Sequence, residues 1–201
     1  MHLLDLKPAS CVIAIATSAG GLNALSVILG GLPGNLKAAI AIVMHVSPDH
    51  KSLLVEILKC RTALQVFQAR SGEVMHDGGV YVAPPNHHLS VKCGGILELS
   101  SPYAEKIHYA RPSAEPLFAS VAEIYGEDAI AVVLTGGDGD GSMGVLIISD
   151  NGGRVIAQDG PTSYDFSMPR SAIETGDVDY ILPLEAIAPK LTELVNGNKI
   201  R

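Results

Sequence analysis

Three short apolar runs constrain this chain more than any other feature: Cys11–Ala16, Ala38–Met44 and Ala129–Leu134. Each is six or seven residues long and is bounded by turn formers. Such a run, without polar alternation, suits a strand buried on both faces, as in a parallel sheet covered by its crossover helices. The segments that follow fit this reading. After Ala16 come Thr17-Ser18-Ala19-Gly20-Gly21 and then a helically spaced stretch, Leu22–Leu29. After Met44 come His45-Val46-Ser47-Pro48 and a helix expected over Asp49–Cys60. After Leu134 comes a Gly/Asp-rich turn and a helix from about Ser142. Gly153–Ala157 and Val178–Leu182 read as further strands, and Leu184–Val195 as a C-terminal helix. Met168–Thr175 reads as a helix with Pro169 in its first turn.

The middle of the chain differs. Val80–Ala83, His88–Val91 and Ile96–Leu99 are short alternating runs broken by Gly78-Gly79, Pro84-Pro85-Asn86 and Gly94-Gly95. They read as hairpins. The expected fold is α/β: a doubly wound, mostly parallel sheet with helices on both faces, a Rossmann-like three-layer arrangement, plus a small antiparallel hairpin insert. At about 150 residues per domain, the 201 residues suit one domain over 1–201.

Composition excludes several functions. The net charge is −7, and no run of four Lys or Arg occurs, so a nucleic-acid partner is not expected. The apolar runs are far below the ~20 residues that span a bilayer. The N-terminus lacks a basic stretch followed by an apolar one, so it does not read as a signal peptide. Three cysteines without a C-x-x-C spacing suit free thiols in a reducing cytoplasm.

In an open parallel sheet, ligands bind beyond the carboxyl ends of the strands. The residues just after the three best strands are Ser18, His45 and the pair Asp138 and Asp140. A nucleophile, a base and a carboxylate therefore meet at one expected sheet edge. Ser18 occupies a sharp strand-to-helix turn, where helix N–H groups can stabilise an oxyanion. A plain helix N-cap is the competing reading. His45 is the usual kind of base for a serine, or else a structural histidine at a strand end. The Gly137–Gly141 loop places carboxylates within reach of an imidazole, or else serves as a simple turn. A calcium loop fails because Met143 and Ser149 fall at its required glycine and glutamate positions. Gly139-Asp140-Gly141-Ser142-Met143-Gly144 is formally a dinucleotide fingerprint, but Asp138 and Asp140 would set negative charge beside the pyrophosphate.

Several strings, taken in order, resemble the CheB family of chemotaxis protein-glutamate methylesterases. They are Val12–Gly21, Val43-Met44-His45, Tyr81–Pro84, Arg111-Pro112-Ser113, Leu134–Gly141, Ile156-Ala157-Gln158 and Met168-Pro169-Arg170. The resemblance implies a cytoplasmic serine hydrolase that removes methyl groups from glutamate methyl esters, releasing methanol, with glutamine deamidation as a second activity. Its implied partner is the cytoplasmic helical domain of methyl-accepting chemotaxis receptors. Ser18 matches the nucleophile, His45 the base and Asp140 the orienting acid. Gly137 matches a position whose backbone N–H faces the oxyanion, and the N–H near Ala19 is the candidate second donor. Arg111 and Arg170 are candidates to pair with receptor carboxylates, with surface or helix-cap pairing as the competing reading. No metal or cofactor is implied. The chain departs from the family's usual strings at Ala19, Met44, Gly137 and Asp138. The family's receiver domain normally precedes the esterase, and only ten residues precede the first strand here, which leaves three readings open: an excised domain, a constitutive stand-alone member, or one regulated by a receiver domain on a separate chain. Two rivals stay open: a serine hydrolase of another ester or amide, and a catalytically idle binding module of a signalling complex.

Overall fold

The computed structural model describes residues 7–45 and 52–197. Its frame is a seven-stranded sheet whose neighbouring strands all run parallel. In chain order the strands are β1 (Val12–Thr17), β2 (Ala39–Met44), β3 (Gln65–Gln68), β4 (Gly79–Val82), β7 (Ala129–Val133), β8 (Arg154–Gln158) and β9 (Tyr180–Leu182). β5 (Leu89–Lys92) and β6 (Ile96–Leu99) form a separate antiparallel hairpin. The helices are α1 (Gly21–Gly31), α2 (Leu54–Lys59), α3 (Ala114–Tyr125), α4 (Ser142–Asp150), α5 (Ser167–Glu174) and α6 (Leu184–Gly197). The spatial order is β3-β4-β2-β1-β7-β8-β9, so the chain reverses its direction of sheet growth at β1. This is the doubly wound α/β arrangement, and the reversal opens a crevice at the carboxyl ends of β1 and β7.

Side-chain size divides the two faces of the sheet. Ile13, Ile15, Ile40, Ile42 and Ile130 pack on one face, under α1, α2 and α6. Ala14, Ala16, Ala39, Ala41 and Ala131 line the other, under α3, α4, α5 and the hairpin. The alanine face leaves room for Phe118 of α3, which is fully buried. Burying a phenylalanine contributes about 2–3 kcal/mol. α3 buries Ala114, Leu117, Phe118, Val121 and Ala122, the spacing of one helical face.

The expected three-layer fold is therefore the observed one, with three local differences. Val80–Ala83 does not form a hairpin strand. β4 pairs in parallel with both β2 and β3, and all four of its residues are buried. Its brevity and flanking glycines imitate a hairpin, but burial on both faces puts it in the main sheet. The second difference is β3, a polar edge strand with one buried residue, whose sequence offers neither an apolar run nor alternation. The third is α3, which supplies much of the packing on the alanine face yet was not anticipated. Of the helix expected over Asp49–Cys60, Leu54–Lys59 is helical and residues 49–51 lie outside the described residues.

Candidate active site

Ser18 follows β1 directly. Its backbone N–H donates to Thr135 O at 2.9 Å, and Thr17 Oγ1 donates to the same oxygen at 2.9 Å. The end of β1 is thus fixed against the end of β7. The turn then tightens. Gly20 has φ +80°, and a Cβ there would sit 2.6 Å from Tyr164 Cβ. A Cβ on Gly21 would lie 2.6 Å from Thr17 Oγ1. Gly20, not Ser18, is the N-cap of α1, and no side chain caps that helix. The Ser18 hydroxyl is therefore not spent on capping. Among the described residues, no protein acceptor takes the N–H of Ala19 or of Gly137, whereas Gly136 N–H donates to Asp165 O at 2.9 Å.

His45 follows β2, and its own N–H donates to Thr17 O at 3.1 Å. Its side chain is only 13% exposed. Nε2 lies 2.9 Å from Asp140 Oδ2, and Nδ1 lies 3.0 Å from Asp138 Oδ2. Burial opposes the charged ring, but hydrogen bonds and Coulomb attraction from both aspartates outweigh it, and the pKa of His45 is pushed up to about 9. Burial likewise opposes charge on Asp138, yet the His45 contact holds that carboxyl below its usual range. No hydrogen bond joins Ser18 Oγ to His45 among the described residues.

Asp140 is buried at the N-terminus of α3. Ser113 Oγ donates to its Oδ1 at 2.5 Å, and Ala114 N–H donates to its Oδ2 at 2.6 Å. The positive end of the helix dipole faces the same carboxyl group. Ser113 also caps α3 by accepting from Glu115 N at 3.2 Å. Buried His88 steadies this corner: Nδ1 accepts from Ser113 N at 3.1 Å, and Nε2 donates to Glu105 O at 2.9 Å. Glu115 accepts N–H groups from Gly141, Met143 and Gly144, tying the start of α4 to α3. Burial pushes its pKa up, against those N–H donors. His108, Glu115 and Asp140 offer potential ligand atoms within 4.8 Å of one another. The carboxylates of that group are already committed to these N–H and O–H donors, so the cluster reads as a hydrogen-bonded corner rather than a metal centre.

The site opens into a cleft of about 380 Å³ lined by Ser18, His45, Asn86, Lys106, Arg111 and Asp138, among others. The Arg111 guanidinium donates to Ala104 O and, at 3.4 Å, to Asn86 Oδ1, while among the described residues its buried Nε has no partner. Arg170 is elsewhere: it lies on α5 with its guanidinium 5.5 Å from the Phe166 ring centre, and is not among the cleft's lining residues. The sequence reading gave no role to Ser113, Glu115 or His88. Ser113 stood within Arg111-Pro112-Ser113, and the apolar face spaced from Ala114 behind it was the signal that a capped helix starts there.

Known proteins resemble this chain in sequence and fold. The family model described as CheB methylesterase matches residues 13–191. The chain is 39% identical over 194 residues to the protein-glutamate methylesterase/protein-glutamine glutaminase of Pyrococcus abyssi, covering 94% of this chain and 53% of that protein. It is 38% identical over 186 residues to the putative protein-glutamate methylesterase/protein-glutamine glutaminase of Leptospira interrogans serovar copenhageni, covering 92% and 95%. The chain thus spans about half the length of some curated relatives and nearly all of another. The crystal structure of the Thermotoga maritima CheB methylesterase catalytic domain superposes with a TM-score of 0.87 at 38% identity, covering 92% of this chain and 98% of that one. On these grounds the chain belongs to the CheB methylesterase family.

Proposed function

We propose that this chain hydrolyses glutamate methyl esters on the cytoplasmic helical domain of chemotaxis receptors, releasing methanol. Deamidation of receptor glutamines is its second activity, in keeping with the relatives' printed names. One observation carries the reading: Ser18, His45 and Asp140 come to the carboxyl edge of adjacent strands, with Asp140 2.9 Å from His45 Nε2. Residues 1–201 act in this reading as one catalytic domain in the cytoplasm, needing no cofactor. Among the described residues, no helix is long and apolar enough to cross a membrane.

The mechanism is acyl transfer in two steps. Neutral His45 takes the Ser18 proton while Ser18 Oγ attacks the ester carbonyl. Asp140 orients the ring and stabilises the imidazolium that forms. The unengaged N–H groups of Ala19 and Gly137 receive the oxyanion, each such donor being worth about 3 kcal/mol in the transition state. Methanol leaves with the proton from His45, and a water activated by the same base then releases the glutamate. The missing Ser18–His45 hydrogen bond does not oppose this, because such contacts often tighten only when substrate is bound. Arg111, which lines the cleft, is the better placed of the two arginines to meet a substrate carboxylate. The test is methanol release from a methyl-labelled receptor fragment. The wild type should release it and Ser18→Ala should not; absence of release by folded wild-type protein would refute the proposal.

A further inference from the structure

His45 is held between two carboxylates. Asp140 Oδ2 is 2.9 Å from Nε2, and Asp138 Oδ2 is 3.0 Å from Nδ1. A ring that donates from both nitrogens is the cation, and a cation has no lone pair for a serine proton. The two carboxylates differ in their surroundings. The Asp140 side chain is fully buried and also bonded to Ser113 and Ala114. The Asp138 side chain is 37% exposed on the cleft wall, and among the described residues its Oδ1 accepts only the N–H of Asp140, at 3.1 Å. Asp140 is therefore the fixed partner and Asp138 the releasable one.

We propose that Asp138 is a positioning residue that competes with Ser18 for Nδ1 of His45 and keeps the base charged until that contact is given up. The proposal rests on the reading of Ser18 and His45 as nucleophile and base. For the site to fire, one proton must pass from Nδ1 to solvent through the open cleft. The freed lone pair must then meet Ser18 instead of Asp138. With His45 titrating at about 9, only about 1% of the ring is neutral at pH 7. Other titratable groups surround the pair. Lys106, His108 and Arg111 line the same cleft. Glu115 of α3 stands beside Asp140, and Asp165 ahead of α5 stands beside Gly137. Among the described residues, Lys106, His108 and Arg111 make no ion pair with Asp138 or Asp140.

The experiment is an NMR titration of the His45 ring in wild type, Asp138→Asn and Asp138→Gly, with p-nitrophenyl acetate hydrolysis followed over the same pH range. Asparagine keeps an acceptor for the Asp140 N–H and removes only the charge, so it guards against a collapsed loop in the glycine variant. The expected result is a fall of about one unit or more in the His45 midpoint and a rise of about tenfold in the rate at pH 7. An unshifted midpoint overturns the proposal, as does a shifted midpoint with a measurable rate that fails to rise. The titration needs no substrate, so a wild type without hydrolysis would count against the proposed function while this inference is judged on the midpoint alone.

Discussion

A methyl group at Gly136 should disable the site without touching any of its polar groups. Gly136 follows β7, and both its backbone groups are engaged: N–H donates to Asp165 O, and its carbonyl accepts from Met168 N, each at 2.9 Å. A Cβ added there would overlap Met168 Sδ, lie 2.9 Å from Met168 Cγ and lie 3.0 Å from Ser18 Cβ. Ordinary carbon contacts are about 3.5–4.0 Å, so Ser18 must retreat by roughly 0.5–1 Å or Met168 must leave its place. Met168 is 1% exposed and packs on the alanine face, so it has little room to move. Overpacking of this kind costs about 1–3 kcal/mol, which for a chain of this size lowers Tm by about 2–12 °C. A nucleophile displaced by about 1 Å loses on the order of 100-fold in kcat. The assay is thermal unfolding together with ester hydrolysis for Gly136→Ala and for the Gly136→Ala/Met168→Ala pair. The pair should unfold less readily than the sum of the two single effects predicts, by about 0.5–3 kcal/mol. Wild-type Tm and wild-type kcat in Gly136→Ala would refute the packing argument.

The remaining predictions concern the network behind the site. Ser113→Ala removes the donor to Asp140 Oδ1 and the cap of α3, and should cost about 2–4 kcal/mol in denaturant unfolding along with a loss of kcat. Because the folded pKa of His45 is raised, its stabilising contribution is fully present below its unfolded pKa of about 6.5 and is lost as pH rises through about 9. Unfolding of wild type against His45→Gln at pH 6 and pH 10 should therefore show a difference that shrinks by about 3 kcal/mol at the higher pH. Burial pushes the Cys11 thiol up to about 12, whereas Cys60 and Cys93 are exposed. A thiol reagent at pH 8 should label two cysteines in the folded protein and the third only after unfolding.

How far the sequence revealed the molecule depended on what each segment buries. β1, β2 and β7 are apolar on both faces because helices cover both, and such runs are readable directly. β3 was invisible because an edge strand with one buried residue carries no pattern, and β4 was misassigned because four residues between glycine and proline look the same in a hairpin and in a parallel sheet. The three chemical groups were legible because they sit where strands end, a position fixed by topology rather than by local spacing. Ser113, His88 and Glu115 were not, because their roles arise from pairs 25 to 29 residues apart. Nor does spacing tell which aspartate meets which ring nitrogen. That both Asp138 and Asp140 reach His45 depends on how Gly137–Gly141 folds against α3.

The central claim is that Ser18 is a nucleophile activated by His45 at the carboxyl edge of this sheet. The most direct measurement is covalent trapping with a fluorophosphonate, read by peptide mass spectrometry across pH 6–10 in wild type and His45→Ala. The account predicts an adduct on Ser18 that forms faster as His45 loses its proton, toward pH 9, and that nearly vanishes in His45→Ala. Folded wild-type protein left unlabelled at Ser18, or labelled as readily without His45, would contradict it.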